Sequence, residues 1–272
     1  MKTIQKIILY IFLLSTIVCT VTPLLWMVAA SLMTSGEANV FPPRLLPEKV
    51  TVEHYTVLFT RLNLGIYFIN SIIISLGVTT FSLFINSLAG YAFAKYRFAG
   101  RDKLFRFLLA AMIVPGQVTM LPLFLMLNKM GLLNTYWGIL IPGMASIFGI
   151  FLIRQYASSL PDSLIEAARI DGAKDIEIYW KLILPLLRPV LVTLGVFTFM
   201  GTWNDFLWPL IVMTDDSMYT LPVAIGNLMG EHAQDTELMM AGSVLTVLPI
   251  LIVFASVQKY YIQGIIAGSV KE

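Results

Sequence analysis

Long apolar stretches separated by short charged segments dominate this chain, and six of them reach the roughly 20 residues that a helix needs to cross a bilayer. They cover Ile7 to Leu32, Ile69 to Ala94, Leu104 to Leu127, Trp137 to Tyr156, Pro189 to Met213 and Met239 to Tyr261. The pattern predicts an all-α integral membrane protein with six transmembrane helices. An even number of crossings puts both termini on one side.

The polar segments give the orientation, because short cytoplasmic loops carry the excess of lysine and arginine. With the N-terminus inside, Lys2, Lys6, Lys95, Arg97, Arg101, Lys103, Arg106, Arg154, Arg169, Lys174, Lys181, Arg188, Lys259 and Lys271 are cytoplasmic. Arg44, Lys49, Arg61 and Lys129 alone fall outside, beside Glu37, Glu48, Glu53, Asp215, Asp216, Glu231, Asp235 and Glu237. Both termini are thus expected in the cytoplasm. The first apolar run follows Lys2 and Lys6 as a signal peptide would, but its length and its ending at Trp26 to Ser31 read as a retained span. Two external segments stand out: Met33 to Phe68, stiffened by prolines at Phe41-Pro-Pro-Arg-Leu-Leu-Pro47, and the acidic Thr214 to Leu238.

Composition agrees with a lipid environment. Hydrophobic residues make up 58% of the 272 positions and charged ones 12%, with a mean hydropathy of +0.82. That leaves too little polar surface for a water-soluble globule. The net charge of +2, with no basic stripe, excludes a nucleic-acid partner. Cys19 is the single cysteine and His54 and His232 lie apart, so neither a disulfide framework nor a metal site is expected. A phosphate-binding glycine loop ending in Gly-Lys-Ser/Thr is missing, as is any nucleophile paired with a base. No catalytic residue is assigned, and energy for transport must come from another chain.

Inside the spans, Pro115, Gly116, Gln117 and Pro122 should bend the third helix and free backbone carbonyls. Trp203, Asn204 and Asp205 lie within the fifth, where an ionisable group usually faces a cavity or a polar partner. They are candidates for a solute pathway, although Asn204 and Asp205 could equally fix helix packing and Trp203 and Trp208 could serve as packing or interfacial aromatics. Asn70, Asn86 and Asn128 add polar points without naming a ligand.

The largest cytoplasmic loop, 160–187, predicts a helix, a turn and a second helix. Ser163 and Glu166 form a capping-box pattern after Pro161, and Gly172 suits the left-handed position after a helix end, giving a helix of about Leu164 to Asp171. Leu164, Ala167, Ala168 and Asp171 share a face that is small in the middle, so another surface could approach closely. On spacing alone the segment also reads as an ordinary interfacial helix.

Glu166-Ala167-Ala168, Gly172 four residues beyond Ala168, and Ile183-Leu184-Pro185 resemble the EAA loop of binding-protein-dependent ATP-binding-cassette importer permeases. Trp203-Asn-Asp-Phe-Leu-Trp-Pro-Leu210 and Tyr261-Ile-Gln-Gly-Ile-Ile-Ala-Gly268 are similar to the MalG-type sugar permeases, so the resemblance covers nearly the whole chain. It implies a type I importer (MetI-like) permease fold in a bacterial or archaeal inner membrane. A first helix and external loop over 1–68 would precede a core over 69–262 and a tail over 263–272. It further implies that Glu166, Ala167, Ala168, Asp171 and Gly172 couple the chain to an ATPase. The implied partners are a second homologous permease subunit, two ATPase subunits that bind ATP and Mg, and an external solute-binding protein delivering a mono- or oligosaccharide. A polyol, glycerol phosphate or amino acid as cargo stays open, as does an ATP-independent carrier or a membrane scaffold.

Overall fold

The computed structural model describes residues 2–231 and 235–269, with side chains placed over 3–228 and 235–258. His232 and the side chains of the Tyr261 to Gly268 motif therefore lie outside the described residues. Helices among the described residues are α1 (Lys2–Ala30), α2 (Glu53–Thr60), α3 (Leu64–Lys95), α4 (Arg101–Ala111), α5 (Gly116–Lys129), α6 (Trp137–Gly143), α7 (Ile147–Ser158) and α8 (Asp162–Ile170). They continue as α9 (Asp175–Leu186), α10 (Arg188–Trp203), α11 (Leu207–Val212), α12 (Leu221–Glu231) and α13 (Thr236–Ser269).

Four helical stretches are long and apolar enough to cross a membrane singly, and there are up to six when each of two bent pairs counts as one span. The expected third span is α4 and α5, joined at 102°. Pro115 stands at the joint with an extended backbone, which stops the helix as its missing N–H requires. The expected fifth span holds α10 and α11, and α9 meets α10 at a 75° bend just before it. The span is corrected in one way: it is broken at Asn204–Phe206, where Asn204 caps α10 and a new helix begins at Leu207.

One compact unit comprises the chain up to Tyr67 with Leu221–Ile250. Here α1 satisfies its own polar groups: Thr16, Thr20 and Thr22 hydroxyls donate to carbonyls one turn back at 2.6–2.8 Å. Residues 31–52, expected only to be proline-stiffened, form an ordered knot. Glu37, buried, accepts from Thr34 N at 3.0 Å and Glu48 N at 2.6 Å, and Glu237 accepts from Ala38 N at 2.7 Å. His54 is buried with Nε2 3.0 Å from Met33 O, so it is a packed residue rather than a solvated one.

The second unit comprises Phe68–Thr220 and the chain from Leu251 onward. Within it α3 carries a buried polar stripe, Asn70, Ser71, Ser75, Ser82, Asn86 and Ser87. Small residues on such a stripe let helices approach closely, and amide groups bond across the gap. At Gly90 an added Cβ would lie 2.6 Å from Ile153 Cβ, so only glycine permits this crossing of α3 and α7. Asn86 Oδ1 accepts from Ser146 N at 3.1 Å, where α6 ends and Ser146 caps α7 by accepting from Gly149 N. Asn70 donates to Ser217 O and Tyr219 O and accepts from Tyr136. Both asparagines thus fasten the scaffold.

Candidate functional site

The loop between α7 and α9 presents α8 with one side packed and one side open. Ile165 is buried in one cluster with Ile178, Tyr179 and Ile183, and Ala168 packs against that cluster. Glu166, Ala167 and Arg169 are exposed, and Ile170 is 86% exposed. The helix begins at Asp162 with Pro161 before it and no side-chain cap, so the expected Ser163–Glu166 capping box is not what starts it. Pro161, held at φ −63° and ψ 131°, sets the entry instead. That leaves Ser163 and Glu166 inside the helix.

Its end matches expectation. Asp171 is the C-cap residue, Gly172 has φ +82°, and the N–H groups of Gly172 and Ala173 donate to Arg169 O and Ala168 O, both at 3.0 Å. These two bonds make a Schellman turn, which favours glycine at the left-handed position because it carries no Cβ. Arg169 is engaged within the chain: its Nη2 lies 3.0 Å from Asp175 Oδ1. Beyond the turn, Ile178–Ile183 adopt π-helical bonding, a rare geometry common at functional positions. Tyr179 meets Ser87 Oγ at 2.7 Å, and Trp180 stacks on Phe84.

A second contact, which no local sequence signal announces, holds the start of α8. Lys95 Nζ donates to Leu160 O and to Asp162 Oδ1, each at 2.5 Å. This holds the Asp162 carboxyl below its ordinary 3.8. The two residues are far apart in sequence, and each is common at a helix end on its own account.

The pathway candidates separate into different surroundings. Trp203 is 1% exposed, edge-on to Phe68 and stacked on Phe199, both at 5.8 Å. Asn204 is exposed and donates to Met200 O. Asp205 lines a cavity of about 240 Å³ with Thr119, Thr202, Met120, Leu123 and Trp208. Trp208 N lies 3.4 Å from Asp205 Oδ1, and its indole donates to Gly138 O at 3.3 Å, which fixes the ring on the cavity wall. Of the three, Asp205 is the one that lines the cavity. The two threonines were not singled out in the sequence, and nothing in their spacing marks them.

The family described as binding-protein-dependent transport system inner membrane component matches residues 86–267. The chain belongs to that family. This inner membrane component is 37% identical to the arabinooligosaccharides transport system permease protein AraQ of Halalkalibacterium halodurans, over 92% of this chain and 91% of the relative. It is 32% identical to the lactose transport system permease protein LacG of Rhizobium radiobacter, over 93% and 91%. Among solved structures, it resembles a bacterial ABC transporter involved in the import of the acidic polysaccharide alginate. The TM-score is 0.85 at 27% identity, with 95% of this chain and 97% of that chain covered. The all-α, MetI-like permease fold expected from the sequence is the fold this component has.

Proposed function

We propose that this inner membrane component forms half of the transmembrane pathway of an ATP-driven importer for a mono- or oligosaccharide, received from an external solute-binding protein. The observation that carries the reading is α8, a short helix with an exposed face around Glu166 and Ala167 and a rigid glycine turn behind it. That face is the ATPase contact, with Ile170 available to enter an apolar cleft. This loop and both termini are read as cytoplasmic, which the distribution of fourteen cationic side chains against four supports. The partners are a second homologous permease, two ATPase subunits holding ATP and Mg, and the binding protein. This subunit is mechanical and not catalytic. Its relatives' arabinooligosaccharide and lactose cargoes support a sugar here, and Asp205 with Thr119 and Thr202 supplies acceptors and donors suited to sugar hydroxyls.

The test is gentle purification of a tagged chain in nanodiscs, followed by uptake in proteoliposomes with a panel of sugars and polyols. Recovery of an ATPase and a second permease, with ATP-dependent sugar uptake, supports the reading. Together, Gly172→Val and Glu166→Lys should release the ATPase. A solitary protein moving solute without ATP refutes it.

A further inference from the structure

Two helix ends meet at Lys95 and Asp162. Lys95 closes α3 and Asp162 opens α8, so the ammonium sits where one helix dipole is negative and the carboxylate where the other is positive. The Lys95 side chain is 6% exposed while that of Asp162 is 76% exposed. A sheltered ammonium with two charge-assisted bonds differs from a solvated surface pair, whose geometry wanders and whose contribution is small.

Further contacts gather around the same end of α3. Arg154 of α7 reaches Phe93 O at 3.5 Å and lies 3.8 Å over the Phe105 ring. At the far end of α8, Arg169 lies 5.9 Å from the Tyr96 ring centroid. Phe93 and Lys95 in the last turn of α3, with Tyr96 immediately after it, therefore meet α7 and both ends of α8. Between α7 and α8 only Ser159, Leu160 and Pro161 intervene, and Lys95 holds the middle one by its carbonyl.

We propose that Lys95 is the positioning residue for energy coupling, locking the start of α8 to the end of α3. A displacement applied to α8 then moves α3 with it and is not absorbed in residues 159–161. This rests on the reading of α8 as the ATPase contact. Lys95 has two partners and Asp162 has one, which sets the order of effects. Losing the ammonium frees both Leu160 and Asp162, whereas Asp162→Asn leaves the Leu160 bond in place.

Two measurements test it, both on the full chain carrying Cys19→Ser, the first in nanodiscs and the second in proteoliposomes. In the first, spin labels at Ala99→Cys and Ile170→Cys report the distance between the α3 end and α8, with no ATPase required. Lys95→Met should broaden the distribution strongly, Asp162→Asn should broaden it less, and Lys95→Arg should leave it narrow. In the second, the complete transporter in proteoliposomes should show uptake per ATP reduced several-fold in Lys95→Met, with ATPase still bound and with recovery in Lys95→Arg. An unchanged distribution in both Lys95→Met and Asp162→Asn, or unchanged uptake per ATP in Lys95→Met, overturns the proposal. Should Lys95→Met not assemble, Asp162→Asn decides, since it leaves the buried ammonium its carbonyl; an unbroadened distribution there is equally fatal. If the natural chain recruits no ATPase, the reading of α8 falls, and the distance measurement still decides whether the lock exists.

Discussion

Filling one methyl's worth of space beside Asn86 should destabilise the chain, as truncating Asn86 itself does, and doing both should cost less than the sum. Asn86 is fully buried. It accepts from Ser146 N at 3.1 Å and donates to Ser82 Oγ at 2.7 Å and Ser146 Oγ at 3.4 Å. Asn86→Ala strands the Ser146 N–H at the break between α6 and α7, about 1–3 kcal/mol, and leaves a void that brings the total to about 2–4 kcal/mol. A Cβ on Gly149 would fall 2.5 Å from Asn86 Nδ2 and 2.7 Å from Ser146 Oγ. Gly149→Ala should therefore displace the same amide and cost about 1–3 kcal/mol. In the double variant the new methyl enters the void left by the amide, so the loss should not exceed that of Asn86→Ala alone. The favourable coupling is about 1–3 kcal/mol. Thermal unfolding of the purified chain in nanodiscs, at about 2–4 °C per kcal/mol, resolves this. Gly201→Ala, with no neighbour within 4 Å of the added carbon, is the control and should be neutral or slightly stabilising. Additivity of the two variants to within about 0.5 kcal/mol would refute the reasoning.

Gly172 stands at φ +82° with open space around its missing Cβ, so substitutions there meet backbone cost alone. Asparagine, which tolerates the left-handed region, should preserve uptake per ATP, alanine should lose part of it at about 1–2 kcal/mol, and valine most; equal values for asparagine and valine contradict this. The Glu48 and Thr34 N–H groups, with the Thr34 hydroxyl and Arg44, hold the Glu37 carboxyl below its ordinary 4.5 against the opposing effect of burial. Its stabilisation of residues 31–52 is complete above that ordinary value and is lost as pH falls through the lower folded one. Limited proteolysis of this segment should accelerate on acidification from about pH 6 to below about pH 4, and Glu37→Gln should raise cleavage at pH 6 and flatten the step. Trp203→Ala should lower thermal stability by about 3–5 kcal/mol, because the ring is enclosed between Phe68 and Phe199. Asp205→Ala should instead raise the sugar concentration for half-maximal uptake with little change in unfolding temperature, and the reverse pattern sinks the assignment of Asp205 to the cavity.

Much of the fold was legible because lipid solvent imposes length: a run of about 20 apolar residues has few other fates. Pro115 marked the break between α4 and α5, since a missing N–H acts locally. The break at Asn204–Phe206 was less visible, because Trp203 and Leu207 continue the apolar pattern straight across it. Gly172 announced its turn through the one property that distinguishes glycine, whereas the Ser163–Glu166 pattern misled because Pro161 sets the helix entry before Ser163 is reached. The lock at Lys95 and the order within residues 31–52 were not legible at all. Both depend on pairings between residues 65 and 199 positions apart, and no window along the chain brings those together.

The knot around Glu37 also bears on how such a surface can change over time. Its shape is specified mainly by side chains that hold main-chain groups: Glu37 on Thr34 and Glu48, Glu237 on Ala38, and Trp26 on the Arg44 carbonyl. Main-chain groups are the same whatever residue bears them. Phe41, Leu45 and Leu46, at 92%, 70% and 76% exposed, take no part in that bonding. A lineage could therefore rewrite what this surface displays, one residue at a time, without first reinventing the loop that displays it.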